Sequence, residues 1–266
     1  MYPWLPAARQ AADSTMSLQL DPIAAYDRCA PRFYLLAQRR QRYLDSVDEL
    51  ILQRLPPAPR SLLDVGAGDG RRGFRIAQLA GVREVVLVEP SSGMRRLIPQ
   101  PAEIWPQTIE ELPISDRRFD VVLCLWNVLG HIPTDALRRQ TLCRLGQLCS
   151  TSGLIFLDVV NRYNLRECGP FRVVGRMLRD ALSRQSAGDV SVRWNLGEEE
   201  VKTWGHVFTL TEMSRLIEGS GLRLVERLVV DYKIGELRQS PCAGNFFYVL
   251  AKSALPTRSS TPGESA

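Results

Sequence analysis

The chain has 266 residues, 45% hydrophobic and 24% charged positions and a formal net charge of +5, an average globular composition that excludes a disordered, collagen-like or membrane-bundle protein. No run approaches the roughly 20 apolar residues that cross a bilayer, and the first twenty residues lack the basic start and apolar stretch of a secretory signal, so the chain reads as soluble and cytoplasmic. Six cysteines (Cys29, Cys124, Cys143, Cys149, Cys168 and Cys242) form no CxxC pair and only two histidines are present, so no metal centre is expected and the thiols read as small buried hydrophobes.

Residues 1–20 and 253–266 are small, polar and rich in Pro and Gly and read as disordered, flanking one domain over 21–252. From Asp21 to Leu55 apolar residues recur at three- and four-residue spacings up to Pro56-Pro57, which predicts one or two N-terminal helices. After Pro59 short apolar runs alternate with helical stretches. Strands are predicted at 61–65, 83–89, 103–108, 119–126, 153–160, 222–230 and 245–253, and helices at 70–80, 91–98, 134–149 and 210–219. Near-continuous apolar strands between helices imply a parallel sheet covered on both faces. The segment DYKIGELRQSPCAG offers no crossover helix, so the last strand is expected to run antiparallel. The fold class is therefore α/β, a Rossmann-like, seven-stranded, mostly parallel sheet.

The run Leu62-Leu63-Asp64-Val65-Gly66-Ala67-Gly68-Asp69-Gly70 is a strand, a glycine-rich turn and a helix start. Such a turn lets backbone approach a ligand at the carboxyl edge of a sheet. Glu89 ends the second strand 19 residues beyond Gly70, where a carboxylate can accept both hydroxyls of a ribose. A dinucleotide fingerprint would need a third glycine where Arg71 stands. With these features, with Tyr26-Asp27-Arg28 and Ala30-Pro31, and with Phe119-Asp120-Val121-Val122, the chain resembles the class I S-adenosylmethionine-dependent methyltransferases over residues 21–252. The resemblance implies S-adenosylmethionine as cofactor. It assigns Asp64 to the glycine loop and the donor's amino group, Gly66, Ala67 and Gly68 to the methionine moiety and Glu89 to the ribose. Pro90 and Met94 fall near the adenine, Thr108 and Ile109 at its edge, and Asn127 within the cofactor set.

Trp126-Asn127-Val128-Leu129-Gly130-His131-Ile132 follows the fourth strand, where donor and acceptor meet in that family. No Asn/Asp-Pro-Pro-aromatic motif, no Pro-Cys pair in this loop and no Asp pair after the strand is present, whereas N-x-x-x-H-[IL] resembles small-molecule methyltransferases. Acceptor contacts are expected from Trp126, His131, Trp204 and His206, with His131 first and His206 second as general base, because a near-neutral pKa suits proton removal. The stretch 161–208 reads as a lid insertion, with an amphipathic helix, a hairpin and Phe171, Trp194, Trp204 and His206 as caps over the acceptor; 231–244 forms the opposite rim. The function implied is methylation of a small-molecule oxygen or nitrogen. The alternatives are an RNA methyltransferase and a non-catalytic methyltransferase-like binding module. Of 34 basic residues only Lys202, Lys233 and Lys252 are lysines, and the arginine pairs are dispersed along the chain, unlike a nucleic-acid footprint gathered on one face.

Overall fold

A computed structural model describes residues 19–113, 116–182 and 188–253. The helical pattern after Asp21 resolves into three helices, α1 (Pro22–Cys29), α2 (Phe33–Gln38) and α3 (Gln41–Leu52), with a 3-10 turn at Ala30–Arg32. The extra breaks come at Pro31, which has no amide hydrogen to donate, and at Arg39-Arg40. There follow β1 (Ser61–Val65), α4 (Arg71–Ala80), β2 (Glu84–Val88), α5 (Ser92–Arg95), β3 (Glu103–Trp105), β4 (Phe119–Cys124), α6 (Asp135–Leu148) and β5 (Cys149–Val159). The remainder comprises α7 (Leu165–Cys168), α8 (Pro170–Leu182), β6 (Asp189–Asn195), β7 (Glu200–His206), α9 (Leu210–Glu218), β8 (Leu222–Val230), β9 (Leu237–Arg238) and β10 (Asn245–Lys252). β3 ends three residues earlier than predicted because Pro106 cannot donate to the ladder.

The sheet order is β3-β2-β1-β4-β5-β10-β8-β9. The first five strands are parallel, and β10 runs antiparallel between β5 and β8. The expected mostly parallel, Rossmann-like sheet with an antiparallel last long strand is thus observed. The two-residue β9, which hydrophobic patterning could not reveal, makes an eighth strand at the edge.

Strand alternation divides the core. Leu63 and Val65 of β1 face Leu142 and Leu145 of α6 and Met213 and Leu216 of α9, while Leu62 faces Val47 and Ile51 of α3 and Ile76 of α4. A separate apolar cluster, with Ala25, Cys29 and Phe33 on one side and Val192, Trp194 and Val201 on the other, fastens the β6–β7 hairpin to α1. Gln19 and Leu20, grouped by composition with the disordered start, bond to β7: Leu20 N–H donates to the Lys202 carbonyl at 2.9 Å and the Gln19 amide to Thr203 at 3.0 Å. The rest of the two predicted disordered segments, save Ser253, lies outside the described residues.

Behind the hairpin a chain of polar side-chain contacts holds the insertion to the sheet. His206 contacts Asp189 at 2.6 Å and Glu212 at 2.5 Å, and Arg162 bridges Glu212 to Asp180. On the opposite sheet face Tyr43 donates its hydroxyl to Asp158 at 2.5 Å, both groups being buried. Removing that donor leaves a buried carboxylate with one partner fewer, a cost of about 1–3 kcal/mol. Tyr43→Phe is therefore expected to lower Tm by about 3–8 °C in a thermal melt at neutral pH; a melt within about 1 °C of the parent would show that the bond is dispensable.

Candidate functional site

At the carboxyl ends of β1, β2 and β4 lies a cleft with about 810 Å³ of free space, within the range of small-molecule and cofactor sites. Its floor is the glycine turn between β1 and α4. Gly66, Gly68 and Gly70 all have positive φ (69°, 59° and 72°), a region costly for side chains carrying Cβ. At Gly66 the constraint is also steric, because a Cβ would overlap the Val128 side chain of the loop after β4. The turn is pinned to β2: Gly66 and Ala67 N–H groups donate to the Val88 carbonyl at 2.8 and 3.1 Å, and Gly68 N–H donates to Glu89 Oε2 at 2.7 Å. Glu89 Oε1 accepts from Ser91 N–H at 2.8 Å, so one carboxylate shapes the loops on both sides of the cleft.

Asp64, at the same edge, is only 5% exposed and lines the cleft, and its carboxylate makes no hydrogen bond among the described residues. Burial pushes its carboxyl up to about 7, against the pull of the nearby Arg72 guanidinium. Burial likewise raises Glu89 to about 7, although its two backbone donors pull the other way. Arg72, on the first turn of α4, pairs with Asp48 at 2.5 Å, while its second terminal nitrogen, Nη2, is buried without a hydrogen-bond partner. Aspartates 48, 64 and 69 and Arg72 all line the cleft.

The opposite wall is the loop after β4. Trp126 and Asn127 both adopt left-handed backbone (φ 59° and 62°), an uncommon conformation for residues with side chains that persists only where the surroundings impose it. Trp126 N–H donates to the Asp158 carboxylate, and Trp126 Nε1–H donates to Tyr232 Oη at 3.1 Å. Asn127 Oδ1 accepts from Val160 N–H at 2.9 Å and its Nδ2 donates to the His206 carbonyl at 3.2 Å. His131 Nδ1 lies 3.2 Å from the Trp204 carbonyl, which can only accept, so this nitrogen carries the proton, and Nε2 faces Tyr26 Oη at 3.4 Å. Burial holds the His131 pKa down to about 4.

Of the residues singled out from sequence, the cleft brings together Asp64, Gly66, Ala67, Gly68, Glu89, Pro90, Thr108, Ile109, Trp126, His131 and Trp204. Five others lie elsewhere, among them Trp194, which is buried and lines a smaller cavity instead of capping this cleft. Met94 is fully buried beneath Gly68. Asn127 spends both ends of its amide on the backbone clamp just described, a cofactor contact being thereby replaced by a supporting one. His206 is 1% exposed and has both ring nitrogens on carboxylates behind the hairpin, so its expected acceptor and base roles are not supported by its position. Phe171 is 92% exposed on α8 and caps nothing among the described residues. Conversely Tyr26, Phe33, Asp48 and Arg72 line the cleft without having been chosen. Tyr26 stood within a quoted motif; for Arg72, one of five dispersed arginine pairs, no local signal separated it from the others.

The chain matches the family model described as "Methyltransferase domain" over residues 35–227. No curated protein sequence matches it significantly. Solved structures similar to it include an S-adenosylmethionine-dependent methyltransferase from Clostridium acetobutylicum (12% identity, 85% of this chain and 100% of that one, TM-score 0.61). Others are the sugar N-methyltransferase KedS8 from Streptoalloteichus (14%, 93% and 100%, TM-score 0.56) and S-adenosylmethionine-bound CalS10, an amino pentose methyltransferase from Micromonospora echinaspora (15%, 91% and 100%, TM-score 0.51). Among the described residues no group of side chains could hold a metal ion, and no helix is long and apolar enough to cross a membrane. With the family model covering most of the chain and the sheet order and glycine turn in agreement, the chain belongs to the methyltransferase domain family and is a class I S-adenosylmethionine-dependent methyltransferase.

Proposed function

We propose that this methyltransferase transfers the methyl group to an oxygen or nitrogen of a small-molecule acceptor held between the glycine turn and the wall formed by Tyr26, Trp126, His131 and Trp204. The observation that carries the cofactor half is the Asp64 carboxylate, which lines the cleft without a side-chain hydrogen bond, so that the ammonium of an α-amino acid end complements it. Glu89, whose two oxygens each accept one backbone N–H, has further acceptor capacity for ribose hydroxyls. At the other end Thr108, Ile109, Glu110 and Glu111 line the cleft and suit an adenine edge, with Glu110 also accepting from the Thr141 hydroxyl and Glu111 from Thr108 N–H.

Bound there, S-adenosylmethionine supplies a methyl carbon made electrophilic by its sulfonium. The residues of the chain have little bond-making to do. They exclude water, hold the acceptor atom in line and receive a proton, and positioning accounts for much of the rate. Trp126, Trp204 and Tyr26 wall the space together with His131: with Nδ1–H spent on the Trp204 carbonyl, Nε2 accepts from the Tyr26 hydroxyl at 3.4 Å, so a proton released by the acceptor reaches His131 by way of Tyr26 Oη. The near-neutral pKa expected for His131 is not found: depressed to about 4 by burial, the ring is neutral throughout the physiological range and needs no prior deprotonation, but it is a weaker base than an ordinary histidine.

For Asp64→Asn two opposite effects are expected. The folded pKa of Asp64 lies above the unfolded value, so the ionised group destabilises the unliganded fold above about pH 7, and this penalty fades as pH falls toward 4. The variant should melt higher than the parent at pH 8, with the difference vanishing near pH 4. In isothermal titration its affinity for S-adenosylhomocysteine should drop about tenfold to hundredfold. Undiminished affinity would remove Asp64 from the donor site.

His131→Gln keeps hydrogen-bonding capacity and removes basicity. Turnover is expected to fall about a hundredfold with donor affinity unchanged. The parent's acid limb should appear only as pH approaches about 4, since the neutral form persists down to there. Full turnover of the variant from about pH 6 to 9, the range around an ordinary histidine pKa, would assign His131 to loop support alone.

A further inference from the structure

Beside the main cleft lies a second, smaller cavity of about 80 Å³. Tyr26, Phe33 and Trp126 line both, so the two spaces lie on either side of one aromatic partition. The small cavity adds Trp194 and Tyr232 and three arginines, Arg39, Arg40 and Arg193. Each arginine has a different status. Arg40 stacks over the Tyr232 ring at 4.0 Å and lies 3.5 Å from Glu167, so its charge is matched. Arg39 donates one N–H to the Asn195 carbonyl at 2.8 Å, a neutral partner that leaves its charge uncompensated. The half-buried Arg193, on β6, makes no side-chain hydrogen bond and no ion pair among the described residues.

The two spaces differ in sign. Asp21, Asp48, Asp64, Asp69, Glu89 and Glu110 are among the acids lining the main cleft and outnumber its three arginines, whereas among the described residues no carboxylate lines the small cavity. A guanidinium is a flat fork of donors suited to carboxylate or phosphate oxygens. A cavity of about 80 Å³ has room for one such group, since a water occupies about 30 Å³. The acidic cleft suits a cationic donor, and its neighbour on the far side of the aromatic wall suits an anion.

From this charge division we infer that the methyl acceptor carries an oxyanion, a carboxylate or a phosphate, which sits in the small cavity against Arg193 and Arg39 while its methyl-accepting atom reaches past Tyr26 and Trp126 toward His131. The inference rests on the methyltransferase reading and adds the acceptor's chemical class. Arg193 acts here as a specificity-determining residue on the β6–β7 hairpin. Because the hairpin is bound to α1 and α2 through Arg28–Glu199 at 2.5 Å and Arg39–Asn195, an anion between Arg193 and Arg39 also bridges the insertion and the N-terminal helices.

The test uses the full chain with methyl-labelled S-adenosylmethionine and a deproteinised small-molecule cell extract, the products being separated on an anion exchanger at neutral pH. The labelled product is expected in the retained fraction. Release of the label from the resin after treatment with phosphodiesterase and phosphatase together identifies a phosphate, and retention after both, lost on methyl esterification, a carboxylate. Arg193→Gln should reduce labelling of that product about tenfold or more through a raised KM, with S-adenosylhomocysteine affinity within about twofold of the parent and partial recovery in Arg193→Lys. Labelled product confined to the unretained fraction, or undiminished labelling by Arg193→Gln, would overturn the oxyanion assignment while leaving the methyltransferase reading intact. No labelled product in any fraction would overturn the catalytic reading on which it stands.

Discussion

The carboxyl edge of the sheet holds more buried negative charge than it neutralises, and the rest of the site is arranged around that imbalance. Asp48, Asp64 and Asp158 converge there on one largely buried guanidinium, that of Arg72, while Glu89 beside them has Arg95 as its nearest cation. Burial raises all four carboxyls, most legibly Asp64 and Glu89, because ionised groups lose water they cannot replace. Hydrogen bonds compensate where the chain can reach: two backbone N–H groups on Glu89, Tyr43 and Trp126 on Asp158, Arg72 on Asp48. Asp64 has no such partner. A site with an uncompensated buried carboxylate is destabilised when empty and favours a cationic ligand, so the same electrostatics weakens the free protein and provides affinity.

Helix α1 carries the second constraint through three consecutive residues. Tyr26 contacts the His131 ring edge-on with centroids 5.6 Å apart and packs on Trp194 at 4.8 Å. Asp27 accepts from Ser91 Oγ and Gly93 N–H, each at 2.7 Å, so it fastens α1 to the turn after β2. Those donors hold its carboxyl below the ordinary range despite partial burial. Arg28 reaches the hairpin at Glu199. One short helix thus links the glycine-turn side, the loop after β4 and the insertion, which is why an arrangement spread over the chain holds one geometry around the cleft.

The left-handed pair Trp126-Asn127 shows how strain is held in place. Asp158 grips the Trp126 amide from β5, and Asn127 is bonded to Val160 and to the His206 carbonyl on the hairpin. The His206 side chain is meanwhile locked between Asp189 and Glu212. Residues that look chemical in isolation are here the frame that keeps Trp126 and His131 against the cleft. The arginine excess finds its use in the same way, as partners to dispersed acids such as Asp180, Asp189 and Glu103 rather than as one basic face.

What the sequence by itself determined was everything written in local pattern and short motif. The alternation of apolar strands with helices specifies the parallel sheet, because each covered strand must be apolar on both faces. The missing crossover before Asn245 specifies the antiparallel β10, and Asp64, the glycine turn and Glu89 mark the ligand edge. Only the tertiary structure decided which polar side chains face the cleft. Asn127 and His131 sit four residues apart on one loop, yet one turns to the backbone and the other to Tyr26 and Trp204. Arg72 and Arg193 are distinguished from the other arginines only by what surrounds them, one beside Asp48 and Asp64 and the other among aromatic rings. The reason is physical: periodicity encodes which face of an element is apolar, whereas a polar side chain's role depends on the partners that reach it, and those come from residues far away in the chain, as Tyr26 and His131, 105 positions apart, illustrate.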